Sequence, residues 1–327
     1  PPSPLPPPSP SPPDVITGEV TTVAGGGSAG SNDGVGTSAQ FNEPAGVSID
    51  SSGAFALVAD SGNNCVRRVV LATWETTTLA GSGTAGFRNG DSASAQFDRP
   101  FDVAIDPSST FAVVADTFNH AIRRVDIATG ETTTLAGSGT AGFRDGASAS
   151  AQFKTPWGVA VAPSGDFVLV ADTWNQRIRR VDIANGATTT LAGSGAFAFR
   201  NGVGTTAHFT AVTDIAIDPS GMFALVADHH NYRVRRVDIA DGATTTLAGS
   251  GYHYRGHRDG ASGTAQFQGM INIAIDPSGA FALVTTNGQL IRRVDIATGE
   301  TTTVAGTFGT RSFRDGVGTS AQFDYPR

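Results

Sequence analysis

The sequence predicts an all-β protein of the β-propeller class, in which four-stranded units repeat around a central axis. The first observation is a repeat: the tripeptide Ala-Gln-Phe recurs, and His208 takes the glutamine position once. That position falls at 40, 96, 152, 208, 266 and 322, at intervals of 56, 56, 56, 58 and 56 residues. So regular a period is typical of a repeat architecture. The second observation is that no helical 3.6-residue periodicity of useful length competes with the short apolar runs inside each unit.

Each unit contains four short runs with strand character, as the third one illustrates. Its runs are 158–161, 167–170, 178–183 and 188–191, and polar or glycine-containing turns separate them. Apolar and β-branched residues bounded by such turns predict a four-stranded meander. A unit of this kind cannot bury both faces alone, so neighbouring units are expected to stack radially.

Counting the runs gives five complete units and two fragments. The units begin near Pro44, Pro100, Pro156, Val212 and Met270. Residues 18–25 match only the fourth strand of a unit, and residues 325–327 match only the start of one. The predicted fold is therefore five complete blades plus an N-terminal outer strand of a sixth.

The motif Val170-Ala171-Asp172-Thr173-Trp174-Asn175-Gln176-Arg177-Ile178-Arg179 makes the unit resemble the NHL repeat. The fifth unit departs from this pattern, because its turn lacks the aspartate and is one residue shorter. The resemblance implies six blades, one of them shared between the two chain ends. Two explanations for the incomplete blade stay open: its inner strands follow Arg327, or another molecule supplies them.

The residues divide into a proline-rich segment, 1–13, and the propeller, 14–327. Proline fixes φ and has no amide hydrogen, so residues 1–13 are expected to form a polyproline II rod. Their Ser-Pro dipeptides resemble the hydroxyproline-rich segments of plant and green-algal extracellular glycoproteins, which implies covalent O-glycans on the prolines. The candidate prolines are Pro4, Pro6, Pro7, Pro8, Pro10, Pro12 and Pro13. Further O-glycosylation candidates are the outer-strand threonines Thr77, Thr133, Thr189, Thr245 and Thr302.

Composition argues against two classes of partner. The net charge is −7, and the arginines are spread through the repeats, which disfavours charge-driven nucleic-acid binding. No apolar run approaches the roughly 20 residues that span a bilayer. The single cysteine, Cys65, excludes an intrachain disulfide and is expected to be a packing residue.

Candidate binding residues fall at one end of the blades, where the strand 2–3 turns and the inter-blade connections emerge. Variable side chains on a fixed scaffold are where a ligand site is built. The candidates are Phe101, Asp102, Phe118, Trp157, Trp174, Asp214, His229, His230 and Tyr232.

The remaining repeated residues are expected to be structural. The turn aspartates and asparagines can satisfy backbone groups in every blade. One arginine of each Arg-Arg pair is expected to meet solvent, and the other to pair with a carboxylate of a neighbouring blade. NHL relatives include metal-dependent lyases with histidine ligands, but here the histidines cluster in one unit. No metal, cofactor or catalytic residue is predicted.

These observations favour a secreted structural or interaction glycoprotein, located in a cell wall, matrix or surface fibre. Its expected partners are proteins or further copies of itself. One alternative is an enzyme or small-ligand binder at the channel mouth. Another is an intracellular NHL scaffold that binds protein or RNA.

Overall fold

The structure, a computed structural model, describes residues 18–327. Two short strands precede the first blade, β1 (Glu19–Val20) and β2 (Gly34–Val35), and a third, β23 (Gly316–Val317), follows the last blade. Each of the five blades between them is a four-stranded antiparallel meander, and β2 adds a fifth strand to blade 1.

The predicted polyproline II rod and its glycosylation sites lie outside the described residues. Its candidate prolines are therefore untested by the structure, and the O-glycans expected on them stay a prediction. These residues are Pro4, Pro6, Pro7, Pro8, Pro10, Pro12 and Pro13.

The blades begin where the sequence predicted. Blade 1 contains β3 (Pro44–Ile49), β4 (Phe55–Asp60), β5 (Cys65–Val70) and β6 (Glu75–Ala80). Blade 2 contains β7 (Pro100–Ile105), β8 (Phe111–Asp116), β9 (Ala121–Asp126) and β10 (Thr132–Ala136). Blade 3 contains β11 (Pro156–Val161), β12 (Phe167–Asp172), β13 (Arg177–Asp182) and β14 (Thr188–Ala192). Blade 4 contains β15 (Val212–Ile217), β16 (Phe223–Asp228), β17 (Arg233–Asp238) and β18 (Thr244–Ala248). Blade 5 contains β19 (Met270–Ile275), β20 (Phe281–Thr286), β21 (Leu290–Asp295) and β22 (Thr301–Ala305).

Helical structure among residues 18–327 is limited to single 3₁₀ turns. Four of them form the strand 2–3 turns of blades 1–4, and the others lie in the connections. They are Gly36–Ser38, Ser61–Asn63, Thr117–Asn119, Thr173–Asn175, Gly204–Thr206, His229–Asn231, Tyr252–Tyr254 and Gly318–Ser320. In blade 5 the shorter turn 287–289 takes the place of the 3₁₀ turn. Gln289, the last residue of this turn, has a φ of 61°. The pairing of β20 with β21 is kept.

The hydrophobic core lies between blades. Leu169 and Ala171 of blade 3, for example, pack with Ile215 and Val226 of blade 4. The repeated Ala-Gln-Phe tripeptide serves this core, because its alanine is buried in every connection and its phenylalanine is fully buried in the four connections between blades: Phe97, Phe153, Phe209 and Phe267. Burying each of these phenylalanines is worth about 1.5–3 kcal/mol.

The first arginine of each Arg-Arg pair is fully buried and joins a blade to the connection that leads into it. Arg179 Nη1 donates to Asp172 Oδ2 (2.7 Å) and to the Gln152 carbonyl (3.0 Å). Its Nη2 donates to the Arg144 carbonyl (2.8 Å) and to Asp145 Oδ1 (2.6 Å). The expected pairing with a neighbouring blade's carboxylate is therefore wrong: Asp172 belongs to the same blade as Arg179, and Asp145 lies in the connection that leads into that blade. The equivalent arginines are Arg67, Arg123, Arg235 and Arg292.

The second arginine of each pair lies at the surface. Arg124 is exposed, and its guanidinium carbon lies 4.1 Å from the centroid of the Phe111 ring. This geometry is a cation–π contact on the blade rim. The prediction that one member of each pair meets solvent is consistent with this placement.

The inner strands β3, β7, β11, β15 and β19 contact one another in that order around a central cavity. No comparable contact within residues 18–327 joins β19 back to β3. β1 lies in the opening between blade 5 and blade 1 and pairs with β23. The register of this pair is the same as the register of β6 with β2 in blade 1. The N-terminal strand thus has the position of an outer strand, as predicted.

Candidate binding face at the channel mouth

Strand pairing brings the predicted binding residues to one end of the propeller. Pro100 pairs with Asp116, so the start of the inner strand lies beside the turn that follows the second strand. The register then shifts between Pro100 and Asp102, which makes Phe101 the extra residue of a β-bulge. Bulges redirect side chains at the rims of sheets. The inner-strand positions and the strand 2–3 turns therefore share the face around the channel mouth.

Phe101 and Trp157 form a stacked aromatic pair on this face. Their ring centroids lie 4.7 Å apart with an interplanar angle of 16°, and both side chains are partly exposed. The guanidinium of Arg327 lies over the Phe101 ring, 5.0 Å from the ring centroid. Aromatic stacking and a cation–π contact thus combine at one edge of the mouth.

Asp102 and Asp214 line the central cavity, which has a volume of about 420 Å³. Asp102 accepts hydrogen bonds from the amides of Val103 and of Val159 in the next blade, both at 2.8 Å. Asp214 accepts equivalent bonds from Ile215 and Ile273. Each aspartate therefore links the inner strands of adjacent blades.

Burial raises the pKa of both carboxyl groups. The pKa of Asp102 rises to about 7, because removal from water outweighs its two backbone hydrogen bonds. The pKa of Asp214 is also raised well above its usual range, first by burial and then by repulsion from Asp102. The two side chains need space, and a β-carbon on Gly46 or Gly158 would overlap them.

The remaining candidates do not converge on the aromatic pair. Trp174 is half exposed and contacts Phe197, with 6.3 Å between ring centroids, and Phe118 is also half exposed. His229 and His230 contact each other edge to face, at 4.6 Å. The Nδ1 atom of His229 is hydrogen-bonded to the carbonyl oxygen of Met270 at 2.6 Å. Burial lowers the pKa of the His229 imidazole.

Tyr232 is buried and helps to pack blade 4 against blade 5. It is therefore a core residue rather than part of an exposed binding face. The backbone explains its position, since Tyr232 ends the 3₁₀ turn with φ 54°. The sequence could not distinguish it from Trp174, because both occur in the same turn of their units.

Other reactive groups are isolated. Within residues 18–327, no three His, Cys, Asp or Glu side chains converge as metal ligands would. Cys65 is buried, and desolvation raises the pKa of its thiol to about 12, which makes it unreactive as a nucleophile. No helix in the same range is long and apolar enough to cross a membrane.

The five candidate threonines are exposed on the outer strands. Thr189, for example, lies opposite Arg180 on the rim, while its neighbour Thr188 is buried. Exposure makes the threonines accessible, and their glycosylation remains a prediction.

Sequence reasoning missed one contributor to the channel mouth. The sequence pattern assigns Arg327 only to the start of an incomplete unit, yet it occupies the position equivalent to Phe101 and Trp157. Aligning this sixth unit start with the other five would have placed Arg327 at the same mouth.

Comparisons with known proteins agree with this architecture. The NHL repeat model matches residues 153–181, which include the first two strands of blade 3 and most of its third strand, with the buried Arg179. The fold is an NHL-repeat β-propeller. The chain is 27% identical over 293 residues to "Protein SUPPRESSOR OF QUENCHING 1, chloroplastic" of Arabidopsis thaliana. It is 34% identical over 155 residues to NHL repeat-containing protein 2 of Bos taurus.

The alignments cover only part of these relatives. They cover 86% and 44% of this chain but only 28% and 21% of the two relatives. Among solved structures, a Bacteroides thetaiotaomicron protein of unknown function matches with a TM-score of 0.70 at 17% identity. That match covers 94% of this chain and 68% of the other. A chain of a nidogen/laminin complex matches with a TM-score of 0.57 at 13% identity, covering 80% of each chain. These two likenesses concern the fold alone.

The predicted extracellular location is wrong. The Arabidopsis thaliana relative, which aligns with 86% of this chain, is named as a chloroplastic protein. The prediction rested on the Ser-Pro dipeptides of residues 1–13, a composition that ordinary linkers share. The predicted glycans and self-assembly have no support from the fold or from the relatives.

Proposed function

We propose that this chain is a non-catalytic protein-binding module that engages a partner polypeptide at the channel mouth. The observation that carries the proposal is the stacked pair Phe101–Trp157, which is partly exposed at the rim of a cavity. Rigid aromatic side chains of this kind commonly supply most of the binding energy of an interface.

The surroundings of the pair favour a cationic side chain on the partner. A guanidinium already lies over Phe101, that of Arg327. We therefore expect the partner segment to present an arginine or lysine to the aromatic pair.

The test is selection from a random-peptide library on the purified chain, followed by titration of the selected peptides. Trp157→Ala is expected to weaken binding about tenfold or more, which corresponds to about 1.4 kcal/mol. Trp174→Ala is the matched control, because Trp174 is an exposed tryptophan that does not contact the pair. Equal losses in both variants, or no selected peptide, would contradict the proposal.

A second variant tests the cationic preference. Arg327→Ala removes the guanidinium that occupies the Phe101 ring. It is expected to strengthen binding of arginine-containing peptides, because they no longer compete with that side chain. Weaker binding would indicate that Arg327 itself belongs to the partner site and would contradict the assigned preference.

A further inference from the structure

The segment that carries Trp157 is a two-residue bulge in the inner strand of blade 3. The pairing of β11 with β12 skips from Pro156 to Val159, so Trp157 and Gly158 have no partner residue in the neighbouring strand. Phe101, in contrast, is a single extra residue in β7. Because glycine adopts more backbone conformations than other residues, the pairing of β11 does not by itself fix the direction of the Trp157 ring. The stacked orientation therefore needs contacts from outside blade 3.

Blade 2 supplies a contact on each side of Trp157. On the side that precedes it, the hydroxyl of Thr117 donates to the carbonyl of Pro156 at 2.8 Å. On the side that follows it, the amide of Val159 donates to Asp102 Oδ2 at 2.8 Å. The side chains of both blade 2 residues are buried. Since Asp102 directly follows the other aromatic residue of the pair, its carboxylate ties together the two backbone segments that present the rings.

A second aspartate makes the same link between blades 4 and 5. Asp214 Oδ2 accepts a hydrogen bond from the amide of Ile273 at 2.8 Å. The pairing of β19 with β20 also skips two residues, Ile271 and Asn272. Ile271 is buried, so of the two segments held in this way within residues 18–327, the one in blade 3 presents a partly exposed aromatic ring and the other does not. Asp214 therefore serves as a natural control for Asp102.

The contact of Asp102 with blade 3 depends on its ionisation. Its Oδ1 accepts from the amide of Val103 and its Oδ2 from the amide of Val159. An ionised carboxylate only accepts hydrogen bonds, whereas a protonated one carries an O–H donor on one of its oxygens. Protonation therefore places a donor against one of the two amides. Val103 is the next residue in the chain and stays within reach of either oxygen, so the contact with Val159 is the one expected to weaken.

We propose that Asp102 is a positioning residue for the channel mouth: its ionised carboxylate holds Trp157 in the orientation that stacks on Phe101, and protonation releases that orientation. The inference rests on the proposed function, which assigns partner binding to this aromatic pair, and it adds that the affinity for the partner is higher when Asp102 is ionised. The channel mouth then responds to pH near neutrality, because burial raises the pKa of Asp102 to about 7.

The charged groups around Asp102 come from a few elements. Strands β3, β11 and β19 contain no charged side chain. Strand β15 contributes Asp214, whose charge repels that of Asp102. Asp60 and Asp116, which end β4 and β8, are each bound to a buried arginine. Arg327 lines the same cavity. The titration of Asp102 is therefore coupled chiefly to that of Asp214.

His120 is a second titratable group beside the bulge, and its effect has to be separated from that of Asp102. Its Nδ1 accepts a hydrogen bond from the amide of Thr155 at 3.1 Å. Burial lowers the pKa of His120, so it titrates at lower pH than Asp102. In blade 1, Asn64 occupies the equivalent position and its Oδ1 accepts from the amide of Arg99 at 2.9 Å. His120→Asn therefore keeps the contact and removes the titration.

The test is fluorine NMR of the full 327-residue chain labelled with fluorotryptophan, recorded from about pH 5.5 to about pH 8.5. The chain has three tryptophans, and Trp157→Phe assigns the resonance of Trp157. That resonance is expected to shift with a midpoint near pH 7, where Asp102 titrates. Trp174 is the control in the same spectrum, because it contacts Phe197 rather than the aromatic pair.

Four variants assign the transition to Asp102 and to the stack. Asp102→Asn, which cannot titrate, is expected to abolish it. Asp214→Asn is expected to keep it at a lower midpoint, since a repelling charge is removed, and His120→Asn is expected to keep it unchanged. Phe101→Ala removes the stacking partner and is expected to give, already at high pH, the resonance position that the parent chain reaches at low pH. Circular dichroism verifies that each variant is folded.

Titration of a selected arginine-containing peptide connects the transition to binding. Its affinity is expected to be at least about threefold lower at low pH than at high pH, the effect of one weakened hydrogen bond, and to be independent of pH in Asp102→Asn. No transition of Trp157 near pH 7, a transition that persists in Asp102→Asn, one that His120→Asn abolishes, or a peptide affinity independent of pH would overturn the inference. The NMR titration needs no peptide, so failure to select one contradicts the proposed function and leaves the role of Asp102 to be decided by the Trp157 resonance.

Discussion

The buried arginines show how one residue can determine the structure of a repeat unit. Arg123 donates to Asp116 and to two carbonyls of the preceding connection, and it is fully buried. Arg235 donates to the backbone carbonyl of His208, where other units have glutamine. Because this contact uses the backbone, the repeat tolerates either side chain at that position. The sequence revealed that the arginines are repeated. It did not reveal their partners, because those depend on the fold of a connection without regular strands.

Arg123→Met and Arg124→Met form a matched pair of adjacent substitutions. Arg123→Met is expected to destabilise the protein by about 3–5 kcal/mol, since it leaves the buried Asp116 carboxylate unpaired. Arg124→Met removes only an exposed cation–π contact and is expected to cost less than about 1 kcal/mol. Urea unfolding of both variants measures the difference. Similar costs for the two would contradict the assigned roles.

The raised pKa of Asp102 predicts a pH dependence of stability. A carboxyl group with a folded-state pKa of about 7 binds a proton more tightly in the folded than in the unfolded protein. Its contribution to stability is complete below the unfolded pKa and is lost as the pH rises towards 7. The unfolding free energy of wild type relative to Asp102→Asn is therefore expected to fall by about 3 kcal/mol between about pH 4.5 and about pH 8. A constant difference would contradict the assigned pKa.

At the scale of elements, the four-strand pattern and its turns were predictable because each strand run is bounded by turn residues. The first strand of each unit begins at the predicted residue, from Pro44 to Met270. The short turn of blade 5 changes only the loop, because residues 286 and 290 still pair across it. The Phe101–Trp157 stack was not predicted, since the bulge that orients Phe101 depends on register rather than composition.

The inner strands of blades 3 and 4 lie so close together at Gly158 that an added β-carbon is expected to lower the stability of the fold. A β-carbon there would lie 2.6 Å from Asp214 Cα, so blades 3 and 4 would have to separate. Gly158→Ala is expected to destabilise the fold by about 1–3 kcal/mol. Gly263→Ala is the control, because a β-carbon at Gly263 meets nothing within 4 Å. Thermal unfolding compares the two, and equal melting temperatures would contradict the close packing.

At the scale of the whole molecule, the five complete blades of residues 18–327 surround a central cavity. Repeat counting predicted the number of blades and the orphan outer strand, because each unit repeats the same order of strands and turns. It did not predict the groups that hold the buried arginines, which only the hydrogen bonds reveal. The packing of each blade face against its neighbour is the central claim, since the hydrophobic core lies between blades.

Amide hydrogen exchange, read by mass spectrometry on the full chain without a partner, tests this claim most directly. Blades 2–4 have both faces covered, whereas blades 1 and 5 each have one uncovered face. Elements with fewer buried contacts open at lower free energy. The strands β3–β5 and β20–β22 are therefore expected to exchange at least about tenfold faster than the equivalent strands of blade 3. Equal protection across all five blades would contradict a core that lies between the blades.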